Sequence, residues 1–265
     1  MKKSLDYYNQ FDKKLIKDYA SGNKRIVTAI ENLAAYIPTG EGLNVLDIGC
    51  GLGWSTFEFS RFFKDISFEG VDLSPVLIDK AKKLFQNENL NYQVFDITTS
   101  IPNKQYDAIV MIDVYEHIPA EERNKFHQSL KELLKPNGRI LMACPSVFHQ
   151  EYLKKNNPEG LQPIDEDVSL KELQQAAVGV RGEVIYFEYQ NIWRNFDYLY
   201  AVIQKGVSYD LNRTLKINNN FKVENQNIRI KKIKDKLDVV YESKKSINIL
   251  RKTIKKIKKK IYKSK

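Results

Sequence analysis

The run Val45-Leu46-Asp47-Ile48-Gly49-Cys50-Gly51-Leu52-Gly53 constrains this chain more than any other feature. A short apolar strand runs straight into three alternate glycines, and a helical pattern through Phe57, Phe59 and Phe62 follows. Glycines in such a turn adopt positive φ and let the backbone approach a ligand closely. The rest of the first 150 residues fits the same plan. Strands are predicted at Phe68–Asp72, Tyr92–Phe95, Ala108–Ile112 and Arg139–Ala143, with helices between them starting near Ser74-Pro75 and Pro119. Strands and helices alternating at this interval imply an α/β fold with a Rossmann-like, doubly wound parallel sheet, whose ligands sit beyond the carboxyl ends of the strands.

Taken alone, the glycine turn also suits a dinucleotide. Two features argue against one. The third glycine of that fingerprint would fall at Trp54, and Asp47 puts a negative charge where a pyrophosphate would lie. An acid there suits a cationic ligand instead. Asp72, at the end of the second strand, is placed to accept both hydroxyls of a ribose, and Asp96, at the end of the third, to accept from an adenine amino group. A lone acid in such a place is as readily a loop or cap residue. Three at successive strand ends, with the turn, make one rim.

These residues carry a resemblance. VLDIGCGLG (45–53), GVDLS (70–74), FDI (95–97), YDAIVMIDVYEHIP (106–119) and LLKPNGRILMACPS (133–146) stand in the order found in the class I S-adenosylmethionine-dependent methyltransferases, and the chain resembles that family over about residues 40–146. The resemblance implies a seven-stranded sheet with an antiparallel last strand. It further implies S-adenosylmethionine as cofactor: Gly49, Gly51 and Gly53 around its methionyl part with Asp47 nearby, Asp72 on the ribose, Leu73 packed on the ring, Asp96 and Ile97 at the adenine, and Asp113 close to the amino group.

Methyl transfer depends on holding acceptor and methyl in line, and a hydroxyl acceptor gains from a general base. The chain has three histidines. His117, after the fourth strand, and His149, expected in the loop after the fifth, are the candidate bases, with structural hydrogen bonding as the alternative for each. His127 is expected on a helix surface. Asp113, Glu116 and His117 read as capping and packing groups, so no metal is expected. Cys144-Pro145-Ser146 lacks the aromatic signature of base-amine methylation, whereas Asp165-Glu166-Asp167 and Tyr189-Gln190-Asn191-Ile192-Trp193-Arg194 suit a sugar. The acceptor read from these residues is an oxygen of a sugar or phosphosugar, as in methyltransferases of surface-polysaccharide assembly, which the chain resembles more weakly.

Charge divides the chain. The net charge of +10 arises after Ser208, where 19 Lys and Arg face 5 Asp and Glu; the preceding 207 residues carry 24 against 28. The expected organisation is therefore a methyltransferase domain over 1–207, with a helical N-terminal lid (1–40) and a substrate-covering insertion (147–182), followed by a basic helical tail (208–265). Apolar residues at Ile230, Ile233, Leu237 and Val240, then Ile247, Leu250, Ile254, Ile257 and Ile261, make that tail amphipathic. An anionic membrane surface or self-association is its expected partner, with RNA methylation, or a non-catalytic cofactor-binding subunit, as the alternatives. Two cysteines without C-x-x-C spacing and the lack of a long apolar run point to reduced thiols and a cytoplasmic chain, with a peripheral place on the inner membrane face as the second expectation.

Overall fold

In the computed structural model, residues 11–97, 103–207 and 220–239 are described. They form a seven-stranded sheet of order β3-β2-β1-β4-β5-β7-β6, with β1 Leu43–Ile48, β2 Ile66–Asp72, β3 Leu90–Val94, β4 Tyr106–Ile112, β5 Leu134–Pro145, β6 Gly182–Gln190 and β7 Tyr198–Lys205. Neighbours from β3 to β5 are parallel, and β7 runs antiparallel between β5 and β6. The central strands are apolar throughout because both faces are covered. On β4 and β5, Ala108, Val110, Leu141 and Ala143 point into one buried cluster, and Ile109, Met111, Ile140 and Met142 into the other.

The first cluster is closed by α1 (Asp12–Ser21), α2 (Lys24–Ala34), α3 (Trp54–Phe62) and α4 (Pro75–Leu84) through Ile16, Leu33, Phe57 and Leu84. The second is closed by α5 (Arg123–Leu133) and α7 (Leu170–Gly179) through Phe126, Leu130, Leu173 and Ala176. The interruption at Ser21-Gly22-Asn23 is the break between α1 and α2. Gly22 ends α1 in the left-handed region, and the Asn23 side chain caps α2 by accepting from Arg25 N. Ser74 and Pro75 open α4 as predicted, with Ser74 Oγ accepting from Leu77 N.

Three expectations are revised by the packing. The stretch after Pro145 is not a loosened loop but a helix, α6 (Val147–Asn156), which Ser146 caps by accepting from His149 N, so His149 lies in a first helical turn. Within 147–182, α7 is a core helix that contacts β6 and β7, so this stretch is not an insertion apart from the core. The boundary at 207/208, drawn from charge, is no packing boundary for 221–237. Phe221 is buried against Phe59, Phe62 and Phe63, and α8 (Gln226–Leu237) lies on α1 and α4 with Ile233 fully buried. Ile230 and Leu237 pack on the same core, so this part of the amphipathic face is used internally. Val240 and the later apolar positions lie outside the described residues, as do residues 1–10 of the lid. No helix among the described residues is long and apolar enough to cross a membrane.

Candidate active site

The glycine turn leaves the carboxyl end of β1 with Gly49, Gly51 and Gly53 at φ 65°, 54° and 82°. Two of these positions exclude a side chain for spatial reasons as well. A Cβ at Gly49 would stand 2.6 Å from Val114 Cγ2, and one at Gly53 2.6 Å from the Tyr92 ring. Tyr92, in β3, also donates to Gly53 O at 2.7 Å, so a buried ring from a neighbouring strand sets the turn's shape. Nothing in the sequence pattern singles that residue out.

Asp47 and Asp72 do different work. Asp47 is fully buried and accepts from Ser55 Oγ at 2.6 Å and Thr56 Oγ1 at 2.7 Å, tying the strand to the first turn of α3. Burial raises its carboxyl to about 6, although the Ser55 and Thr56 hydroxyls pull the other way. The geometry therefore makes Asp47 a support of the turn, with its charge beneath the cradle. Asp72 stands at the rim: Oδ2 accepts from Gly51 N at 2.9 Å and Oδ1 from Ser74 N at 2.8 Å. Burial raises its carboxyl as well, against the pull of those N–H groups. Leu73 beside it is exposed, and Ile97 is buried at the end of the same edge, with Asp96 half-buried next to it.

Asp113 follows β4 with φ 56°, a left-handed conformation that Asp tolerates better than most residues. Its N–H donates to Ala143 O at 2.8 Å, its Oδ2 pairs with Arg25 of α2 at 2.9 Å, and its Oδ1 is buried with no partner. Burial raises this carboxyl while Arg25 and His117 oppose the shift. Arg25 was not identified from the sequence; its only signal is a position just inside a helix cap.

His117 ends a short 3₁₀ turn, Tyr115–His117. Nδ1 lies 2.7 Å from Ile164 O and 3.5 Å from Asp165 Oδ1, and Nε2 lies 3.8 Å from Glu116 Oε1. A carbonyl can only accept, so Nδ1 carries a proton and a neutral ring keeps its lone pair on Nε2. Asp165 is held in turn by Gln150 Nε2 at 3.3 Å and Gln162 N at 2.8 Å. His149 faces the same group of charges. Burial lowers its pKa, Asp197 raises it, Arg25 lowers it, and Asp165 and Asp113 raise it. The two candidate bases thus border one cluster with Asp113, Arg25 and Asp165. His127 does not join them and is not on the surface: it is buried, stacked on Tyr115 with Nε2 2.8 Å from Tyr115 Oη, and burial drops its pKa to about 4.

This cluster also gathers polar atoms that the chain leaves unsatisfied. Arg25 Nε, Asp113 Oδ1, Glu116 Oε2, Gln150 Oε1, Gln162 Oε1 and the hydroxyls of Tyr198 and Tyr200 are buried without a partner. Buried polar atoms are nearly always paired, so seven in linked residues mark a place shaped for something the chain does not supply. Among the described residues no group of three or more His, Cys, Asp and Glu is arranged to hold a metal ion.

A family model described as "Methyltransferase domain" matches residues 45–138, from within β1 into the start of β5. Over these residues the chain carries a methyltransferase domain. The curated relatives of this methyltransferase domain include malonyl-[acyl-carrier protein] O-methyltransferase 2 of Ilyobacter polytropus, 31% identical over 140 residues that cover 51% of this chain and 53% of that protein. A mitochondrial ubiquinone biosynthesis O-methyltransferase of Dictyostelium discoideum is 28% identical over 155 residues, 51% of this chain and 48% of that one. The chain spans about half the length of these relatives. In fold it is similar to magnesium protoporphyrin IX methyltransferase from Synechocystis PCC 6803 with bound SAH, at a TM-score of 0.59 and 20% identity, over 76% of this chain and 98% of that one. The residues present fit S-adenosylmethionine. The side-chain-free turn at Gly49, Gly51 and Gly53, Asp72 at the adjacent strand end and the orphaned Asp113 Oδ1 form a phosphate-free cradle suited to a nucleoside and a cation.

Proposed function

We propose that this chain transfers the methyl group of S-adenosylmethionine to an oxygen, a hydroxyl of a sugar or phosphosugar, in the cluster bounded by Asp113, His117 and His149. The observation that supports it is the set of orphaned atoms. Glu116 Oε2, Gln150 Oε1 and Gln162 Oε1 are acceptors, and the Tyr198 and Tyr200 hydroxyls accept as readily as they donate. A ligand rich in O–H donors satisfies such a lining; an aromatic base with two or three polar edges does not.

When bound, S-adenosylmethionine supplies an electrophilic methyl on a positively charged sulfur. Everything else falls to the chain's own residues. Asp72 would hold the ribose of the cofactor and Asp113 its amino group. The orphaned oxygens orient the acceptor for in-line attack, which is where most of the rate gain arises. His117 Nε2 would take the hydroxyl proton as the acceptor oxygen gains the methyl group and the methyl–sulfur bond breaks to leave a neutral thioether, and Asp165, 3.5 Å from Nδ1, would stabilise the resulting imidazolium. Burial, with the neighbouring Asp113 carboxylate, pushes the Glu116 carboxyl well above the usual carboxylate range.

The test is methyl transfer from labelled cofactor to a panel of sugars, sugar phosphates, phenols, carboxylic acids and RNA. Transfer to a sugar hydroxyl, reduced about 100-fold or more in His117→Ala with unchanged cofactor affinity, is the expected result. Transfer only to RNA or to a carboxylate would overturn the acceptor reading.

A further inference from the structure

The outer side of the acceptor cluster is lined with exposed aromatic rings. On α6 three consecutive residues grade from outside to inside: Phe148 is 48% exposed, His149 is half-buried, and Gln150 is buried with its Oε1 orphaned. Phe148 meets Tyr189 of β6 and Phe196 of the β6–β7 turn, with centroids 5.4 and 6.2 Å away, and Tyr189 and Phe196 are 6.2 Å apart. Phe187 backs Tyr189 at 4.8 Å. On the same turn Phe196 is 52% and Trp193 57% exposed.

That turn is held in place. The Asp197 carboxylate accepts from the N–H groups of Ile192, Trp193 and Arg194 at 2.7, 2.9 and 3.1 Å, and Asn191 Oδ1 accepts from Phe196 N at 2.7 Å. Ser146 Oγ donates to Phe196 O, joining the turn to the cap of α6. Phe196 itself sits at φ 54°, a conformation unfavourable for a bulky side chain. Hydrogen bonds thus keep in water a ring that burial would favour, and such an arrangement at the edge of a pocket points to a ligand.

The angles between the rings decide what kind. The planes of Phe148, Tyr189 and Phe196 stand at 48° to 66° to one another, so they present no flat platform on which a sugar or base could stack. They form a faceted apolar hollow that a flexible hydrocarbon chain can follow. It adjoins the acceptor cluster through α6: the same helix carries Phe148 and Gln150, Gln150 Nε2 donates to Asp165 Oδ1 at 3.3 Å, and the cap residue Ser146 donates to Phe196 O. We infer that Phe148, Tyr189 and Phe196 form a subsite for an alkyl or prenyl chain carried by the acceptor. The acceptor is then amphipathic, with its hydroxyl-bearing head among the orphaned polar atoms and its chain on the rings. This rests on the hydroxyl-acceptor reading for the head and on the rings alone for the chain.

The experiment uses the full chain with n-alkyl β-D-glucosides from hexyl to nonyl, kept below their critical micelle concentrations. Binding is read by calorimetry and by the fluorescence of Trp193, since the other tryptophan, Trp54, is buried. Affinity is expected to rise about two- to fourfold per added methylene. The gradient should flatten in Phe148→Ala/Phe196→Ala and weaken in Phe196→Gly, a variant that suits the positive φ and so keeps the fold, with S-adenosylmethionine affinity unchanged in both. Affinity independent of chain length, a gradient that survives in both variants, or binding only above the micelle threshold would overturn the subsite. A gradient without methyl transfer to any glucoside would leave the subsite standing and count against the sugar-hydroxyl reading, and transfer without a gradient would do the reverse.

Discussion

Asp47 and His127 are both buried titratable groups, and their opposite shifts give opposite dependences on pH. The Asp47 carboxyl is raised from 3.8 to about 6, so between those values the folded chain holds a proton that the unfolded chain has lost, and stability falls as pH rises through this window. The shift corresponds to about 3 kcal/mol. Asp47→Asn keeps an acceptor for Ser55 and Thr56 and removes the ionisation, so its melting temperature relative to wild type should climb from pH 4 to pH 7. A constant difference would mean that Asp47 ionises freely. His127 behaves in the other sense. Its pKa is lowered to about 4, so the unfolded chain takes up a proton first, and the stability present above about pH 6.5 is lost as pH falls towards 4. A variant His127→Gln, still able to meet the Tyr115 hydroxyl, should lose less stability than wild type across that interval in chemical denaturation at stepped pH.

At the scale of elements, the glycine turn, the strand-end acids and the helix start at Ser74-Pro75 were legible because each depends on residues adjacent in sequence. The resemblance also implied the antiparallel last strand. It did not show where β7 would insert, nor that Arg25 would reach Asp113 or that Ile164 and Asp165 would hold His117. Those contacts join residues 47 to 88 positions apart, and no periodicity encodes them. α6 was missed because its burial is slight and only Gln150 is fully covered, which erases the apolar stripe a helix usually shows. The lysines of 221–237 misled in a different way. Their charge signals solvent, yet Lys232 lies 3.8 Å over the Phe57 ring, and Arg229, itself buried, donates from Nε to Tyr19 O at 2.9 Å. The segment is a strap across α1, α3 and α4, not a free tail. Ile233→Ala should therefore cost about 2–5 kcal/mol in denaturant unfolding, and a chain ending at Val207 should melt well below the full one. Equal stability of the truncated chain would show that α8 contributes nothing to the domain.

Across the whole molecule, the cofactor cradle at β1 and β2 and the polar cluster beyond β4 and β5 lie along one edge of a single sheet, with α1 and α2 closing the near side. Leu15 of α1 stands 3.2 Å from where a Gly51 Cβ would be, and Arg25 of α2 binds Asp113. The N-terminal helices thus reach the glycine turn through Leu15 and the polar cluster through Arg25. Titration calorimetry of the full chain with S-adenosylmethionine tests the central claim most directly. One site per chain is predicted, weakened by about 1.5–3 kcal/mol in Asp72→Ala through loss of hydrogen bonds to a charged group; binding of a nicotinamide dinucleotide in its place, or affinity unchanged by loss of Asp72, would contradict it.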